Sequence, residues 1–187
     1  MEAQKFRLTH VRRAVITAMC MAMCVVLPIA FHAIPNAGSI ISPIHIPVLL
    51  CGLIAGPVYG TLCGIIGPLL SSVITQMPSM AYLPPMMVEC AVYGLLAGLM
   101  IRFVRTKHLY ADLYLSLLVA MIGGRLLAGA AKALIFAAGA YSFKMWAMSY
   151  FVTSLPGIAI QLALIPSVIV ALEAAHLIPR RYPKQNP

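Results

Sequence analysis

The chain has 187 residues, of which 62% are hydrophobic and 9% charged, and its mean hydropathy is +0.97. This balance excludes an ordinary soluble domain and predicts an integral membrane protein. The net charge of +9 would suit a nucleic-acid-binding protein. Its basic residues instead cluster between apolar segments, as membrane topology requires, so we expect no nucleic-acid partner. The length suffices for six spans of about 20 residues and leaves no room for a separate catalytic domain.

Six apolar segments follow one another along the chain, and we expect one membrane domain over residues 1–187. The second segment is short for a full crossing and ends at Gly56-Pro57, which predicts a tight turn into the third. Pro156 and Pro166 predict a kink or an irregular start in the sixth. The expected fold class is an all-α integral membrane protein, a six-helix bundle with spans of about 14–32, 45–56, 57–76, 84–102, 112–138 and 147–173.

Three basic clusters predict the orientation. With six spans they fall on one side of the membrane, and only Lys144 falls on the other. The positive-inside rule makes the side of the clusters cytoplasmic. We therefore expect both termini inside, external loops at about 33–44, 77–83 and 139–146, and a first span that is retained rather than cleaved as a signal peptide. The clusters are Lys5, Arg7, Arg12 and Arg13; Arg102, Arg105 and Lys107; and Arg180, Arg181 and Lys184.

Two cations lie inside the fifth segment. A charge at membrane depth costs roughly 2.5–3.5 kcal/mol on insertion scales, so it should face a protein interior, a cavity or a ligand. Arg125 and Lys132 are about two helical turns apart and project from one face. Glu89, the carboxylate that we place inside a span, could pair with Lys132. Arg125 would then be left to hold a ligand carboxylate through two parallel hydrogen bonds.

Polar residues on other segments and loops could complete an anion-binding pocket that opens to the outside. Taken alone, a polar residue of this kind is equally typical of a helix–helix hydrogen bond, and an aromatic one of the aromatic belt at the lipid headgroups. These alternatives stay open. Two histidines without further donors do not make a metal site, so we expect no metal or cofactor in this chain. Besides Arg125, Lys132 and Glu89, the predicted substrate-binding residues are Asn36, His45, Ser72, Gln76, Tyr82, Trp146 and Gln161.

The first helix carries a stripe of small residues, Ala14, Ala18 and Ala22, which lets another helix approach closely. Packing within the chain and docking of a partner subunit both explain such a stripe. The sequence has no phosphate-loop motif for ATP, no serine-hydrolase elbow and no His-Glu-x-x-His pair. We therefore expect no enzyme activity. The alternative is a small polytopic membrane enzyme that uses the buried charged residues.

Four runs of sequence together carry a resemblance to a known family. They resemble the S components, the substrate-binding membrane subunits of energy-coupling factor (ECF) vitamin transporters, and the resemblance covers nearly the whole chain. The runs are His45-Ile-Pro-Val-Leu-Leu-Cys-Gly-Leu-Ile-Ala-Gly-Pro-Val-Tyr-Gly, Gly67-Pro-Leu-Leu-Ser-Ser, Gly124-Arg125-Leu-Leu and Leu155-Pro-Gly-Ile-Ala-Ile-Gln161-Leu.

This resemblance implies a multi-pass subunit of a bacterial cell membrane that binds a vitamin with high affinity from outside. It also implies partners, namely a transmembrane coupling subunit and two cytoplasmic ATPases that hydrolyse ATP on its behalf. The stripe of Ala14, Ala18 and Ala22 matches the surface by which the family docks to the coupling subunit. Toppling of the S component in the bilayer is thought to carry the vitamin inward.

Pantothenate-type members resemble the chain most. Pantothenate has one carboxylate, which Arg125 or Lys132 could bind, together with hydroxyl and amide groups. Asn36, Gln76, Ser72 or Gln161 could serve those groups. An S component for cobalamin or another vitamin is the alternative, because the sequence does not define the size of the cavity.

Overall fold

The chain is described by a computed structural model over residues 8–31, 40–136 and 142–182, and these residues form helices and connections without a strand. π-Helical segments follow α5 at Lys132–Phe136 and precede α7 at Met148–Thr153. The α-helices are α1 His10–Ala30, α2 His45–Ala55, α3 Pro57–Thr75, α4 Leu83–Phe103, α5 Leu109–Ala131, α6 Phe143–Ala147 and α7 Leu155–Ala174.

Five of the described helices are long and apolar enough to cross a membrane: α1, α3, α4, α5 with its π-helical extension, and α7. The short helix α2 has 11 residues. At 1.5 Å per residue it covers about 16 Å, roughly half of a hydrocarbon core of ~30 Å. The prediction of an all-α membrane bundle is confirmed, but the structure has five candidate spans and one half-length helix instead of six spans.

The turn between α2 and α3 defines one end of the bundle. Gly56 stands at this turn with a φ of 100°, a conformation that favours glycine. The guanidinium of Arg102, at the end of α4, lies against it. We call this the basic end, and we call the opposite end, which carries the connection 76–82, the distal end. Leu8 and Arg181 line one cavity at the basic end, so both described ends of the chain lie there.

Glycines let the backbones of α3 and α4 touch. A Cβ added at Gly60 would lie 2.6 Å from the carbonyl oxygen of Gly94, and a Cβ at Gly64 would collide with the backbone of Cys90. Small residues at such positions permit close helix approach within a membrane, where burial of apolar surface adds little drive for association. The spacing of these glycines predicts packing, and packing is their role in the structure.

Helix α2 forms the centre of the core. It contacts α1, α3, α4 and α7, and its side chains Val48, Leu49 and Cys51 are fully buried. The first residue of α2, His45, therefore lies at membrane depth and is enclosed by protein. Non-helical backbone at this depth, such as the segment that leads into α2, is tolerated only where protein or a cavity covers it.

A polar network holds the C-terminal segment against the basic end. Asp112, fully buried in the first turn of α5, accepts hydrogen bonds from the backbone N–H and the hydroxyl of Thr106, each at 2.7 Å. It also accepts from Nε of Arg181 at 2.5 Å and from the hydroxyl of Tyr182 at 2.6 Å. The Arg181 guanidinium also donates a hydrogen bond to the carbonyl oxygen of Val104. These bonds satisfy a buried carboxylate that would otherwise be destabilising.

Alanine at Gly94 tests the backbone contact between α3 and α4. We expect Gly94→Ala to abolish most of the folded, monodisperse protein, because its Cβ would collide with the Gly60 carbonyl. The matched control is Gly123→Ala, whose Cβ meets only the end of the Leu96 side chain. Size-exclusion yield and unfolding temperature in detergent measure both variants. Equal yields for the two would contradict this packing.

Candidate ligand-binding site

Polar side chains from three helices meet in the distal half of the bundle. His45 begins α2, Glu89 and Tyr93 lie on α4, and Arg125 lies on α5. The exposed fractions of His45, Glu89 and Arg125 are only 5%, 7% and 3%. We call these four residues the polar cluster. It brings a guanidinium and a carboxyl group together inside the bundle.

Within the polar cluster, Tyr93 orients Glu89. The Tyr93 hydroxyl donates a hydrogen bond of 2.7 Å to Oε1 of Glu89, one helical turn away on α4. Nε2 of His45 lies 3.9 Å from the same oxygen, and the His45 and Tyr93 ring centroids are 5.0 Å apart. Gly124 on α5 leaves the space that the Tyr93 ring occupies, since a Cβ there would overlap the ring.

Arg125 supplies the positive charge of the site. Its guanidinium lies 5.9 Å from the Phe151 ring centroid, a cation–π distance, and interacts electrostatically with Glu89 and His45. Among the described residues no carboxylate lies within 4 Å of it. Lys132 also acts electrostatically on Glu89, and its Nζ lies 5.6 Å from the Tyr82 ring centroid. Two cations thus act on the one carboxylate of this region among the described residues, and this balance of charge favours an anionic ligand.

Buried polar atoms without partners mark the same region. Neither ring nitrogen of His45 has a hydrogen-bond partner within the described part of the chain, and the same holds for Oε1 of Gln161. Nε2 of Gln161 donates to the carbonyl of Ile41 at 3.5 Å, which leaves its oxygen available. An unsatisfied buried polar group costs about 1–3 kcal/mol. A ligand with donor and acceptor groups would satisfy these atoms.

Aromatic side chains cover Arg125 on the distal side. Nε1 of Trp146, on α6, donates to the Arg125 carbonyl at 3.2 Å, and the indole lies against Gly129. The Trp146 ring centroid is 5.3 Å from that of Phe143 and 5.1 Å from that of Phe151. Phe151 belongs to the π-helical segment before α7, and π-helical turns occur frequently at functional sites.

Other predicted site residues lie outside the polar cluster. The Ser72 hydroxyl donates to the Pro78 carbonyl at 2.7 Å, and Gln76 is an exposed residue that ends α3 with a φ of 58°. The described contacts of both therefore hold the distal connection together. Tyr82 is exposed and meets Lys132. Asn36 lies outside the described residues.

Tyr93 and Phe151 were not among the predicted site residues. Tyr93 follows Glu89 by four residues, a spacing that places both on one helix face, so the signal was present. Phe151 reaches Arg125 from a π-helical segment at the start of the sixth apolar segment. Pro156 predicted an irregular start there, but not a π-helix and not this contact. Asp112 and Glu173 were also missed as carboxylates within helices, because both lie near the ends of apolar segments.

The small-residue stripe lies on the exposed face of α1. Ala14, Ala18 and Ala22 are all exposed, whereas Cys20 and Cys24 on the other face are buried. Helix packing within the described chain therefore does not use the stripe, which leaves this surface available to lipid or to a partner.

Trp146 is the single tryptophan of the chain and reports on the aromatic cover. We expect Gly129→Val to push the indole away from α5, because even a Cβ at this position would overlap the ring. Its fluorescence emission should shift to longer wavelength as the ring becomes more hydrated. The control is Ala130→Val on the exposed face of α5, which should leave the emission unchanged. The same emission from both variants would contradict the contact.

The comparisons with known proteins support one family. The family model described as "ECF transporter, substrate-specific component" matches residues 12–174. These residues include all the α-helices except the first two residues of α1, and they include the polar cluster and the stripe. No curated protein and no solved structure matches the chain. Because the match covers most of the sequence, the chain belongs to the family of substrate-specific components of ECF transporters.

Proposed function

We propose that this subunit captures an anionic vitamin, pantothenate, from outside the cell and delivers it to an ECF module. One observation carries the proposal: Arg125 is buried without a carboxylate partner among the described residues, in the same polar cluster as His45, whose ring nitrogens lack hydrogen-bond partners there. Membership of the ECF family supports a role in transport rather than in chemical conversion of the ligand.

The chemistry of pantothenate matches the polar cluster group by group. Its carboxylate would accept two parallel hydrogen bonds from Arg125, supported by the charge of Lys132. Its hydroxyl and amide groups can both donate and accept. They would donate to Glu89 and to Oε1 of Gln161, and they would pair with either nitrogen of His45 according to the tautomer. Asn36 stays a predicted contact of the same ligand.

Cobalamin or another vitamin is the alternative ligand. A compact cluster of buried charges suits a small anion better, because a ligand carboxylate neutralises the excess positive charge at low dielectric. The Trp146 and Phe151 rings beside Arg125 also favour a ligand that is enclosed within the bundle.

The charge pattern supports an orientation with the basic end in the cytoplasm. The pocket around the polar cluster would then open outward at the distal end, in a bacterial cell membrane. A transmembrane coupling subunit and two cytoplasmic ATPases would complete the transporter, and the ATPases would bind and hydrolyse ATP. The exposed stripe on α1 would contact the coupling subunit, as close helix approach requires small residues.

Replacing Arg125 tests the carboxylate clamp. We expect Arg125→Ala to weaken pantothenate binding at least tenfold, equivalent to about 1.4 kcal/mol, because the main partner of the ligand carboxylate is lost. The control is Arg105→Ala, which also removes one positive charge but from an exposed residue at the basic end. Equilibrium binding of labelled pantothenate to the purified variants measures the effect. Unchanged affinity in Arg125→Ala would contradict the clamp.

Added bulk on the stripe tests docking. We expect Ala18→Leu to abolish vitamin uptake and copurification with the ATPases while pantothenate binding stays intact, because Ala18 is exposed and away from the polar cluster. Ala163→Leu adds the same bulk to the exposed face of α7 and should retain both uptake and copurification. Loss of binding in Ala18→Leu would instead mean that the stripe supports the fold of the subunit.

A further inference from the structure

A cavity lies at the basic end, away from the polar cluster. It has a volume of about 240 Å³ and lies between α2, α4, α5, α7 and the segment that follows α7. The C-terminal wall is held in place by the hydrogen bonds of Arg181 and Tyr182 to Asp112. Most of its lining is apolar, including Leu53, Ile101, Leu109, Leu113, Ile169 and Ile178.

The apolar lining of the cavity limits which kind of molecule can bind in it. The volume is large enough for several waters, and each buried water needs two to four polar partners. The leucine and isoleucine side chains offer none. Hydrocarbon fits this space because it gains dispersion contacts with the wall and forfeits no hydrogen bonds. For a protein that spans a membrane, the bilayer around it supplies such hydrocarbon in the form of lipid acyl chains.

The rim of the cavity carries charge. Arg180 is exposed there, beside Glu173, whose Oε1 accepts the backbone N–H of Arg181 at 3.1 Å. The charge of Arg181 is compensated by Asp112. Further exposed cations surround the same end, namely Arg102, Arg105 and Lys107. The end therefore has a net positive charge among its described residues, and Lys and Arg at this level of a membrane attract anionic lipid headgroups.

The geometry points to a binding site for one anionic phospholipid of the leaflet that surrounds the basic end. One acyl chain occupies the cavity against Leu113 and Ile169, and the phosphate lies at Arg180. This site is independent of the vitamin pocket, because the two lie at opposite ends of the bundle and share no described residue. The bound lipid stabilises the contact between α7 and the rest of the core.

Native mass spectrometry of the delipidated, full-length subunit tests this site, with phosphatidylglycerol and phosphatidylcholine as the probes. We expect one tightly retained phosphatidylglycerol per chain and no comparable retention of phosphatidylcholine. Arg180→Gln should weaken retention at least fivefold. Arg105→Gln, an identical charge change away from the cavity, should stay within twofold of the unchanged protein. Equal losses of phosphatidylglycerol in the two variants would mean that retention depends only on the general surface charge, and this result would contradict the proposed site.

A cavity-filling change tests the acyl-chain part separately. Ile169→Phe should lose the retained phosphatidylglycerol while its size-exclusion profile stays that of a folded monomer. Retention of the lipid by folded Ile169→Phe, or full competition by inorganic phosphate alone, would overturn the proposal. If Ile169→Phe fails to fold, the comparison of Arg180→Gln with Arg105→Gln decides the outcome by itself.

Discussion

A buried guanidinium at membrane depth is the constraint on which the rest of this structure depends. Arg125 is 3% exposed, and the described chain places no carboxylate within ion-pairing distance of it. Insertion scales assign a cost of roughly 2.5–3.5 kcal/mol to such a charge. The fold reduces this cost with the electrostatic contribution of Glu89 and the ring of Phe151, and a ligand anion would remove the remainder. A site that is completed by its ligand binds that ligand strongly.

The half-length of α2 allows this arrangement. A helix that crossed the whole bilayer would fill the distal half of the bundle with its own side chains. Because α2 begins at His45, its first residue meets Glu89 and Tyr93 of α4 within the bundle. The basic half has the opposite character, with an apolar core and the Asp112 network that ties down the C-terminal segment. Glycines at 60, 64 and 94 bring α3 and α4 into direct backbone contact.

Much of the fold could be predicted from the sequence, and the substrate-binding role of the site residues stays a prediction. Length and hydropathy predicted the all-α membrane class, and the rarity of charge inside apolar segments led directly to Arg125 and Glu89. His45 and Gln161, also predicted, lie in the same region as unpartnered buried groups. Ser72 and Gln76 were predicted beside them, yet their described contacts lie in the distal connection.

The limits of these predictions have a physical cause. In a membrane protein both the lipid-facing and the interior sides of a helix are apolar, so hydropathy does not define the rotation of a helix about its axis. The burial of Tyr93 and the exposure of Ala18 depend on that rotation. The π-helical segments at Lys132–Phe136 and Met148–Thr153, which bring Phe151 to Arg125, depend on tertiary contacts that no local pattern encodes.

Calorimetric titration of the purified, detergent-solubilised chain with pantothenate, without partner proteins, tests the central claim most directly. We expect saturable binding of one pantothenate per chain with a dissociation constant between nanomolar and low micromolar values. The neutral alcohol analogue, pantothenol, which lacks the carboxylate, should bind far more weakly. Equal binding of pantothenate and pantothenol would contradict a site organised around Arg125. Absence of heat with pantothenate would contradict the assignment of this vitamin.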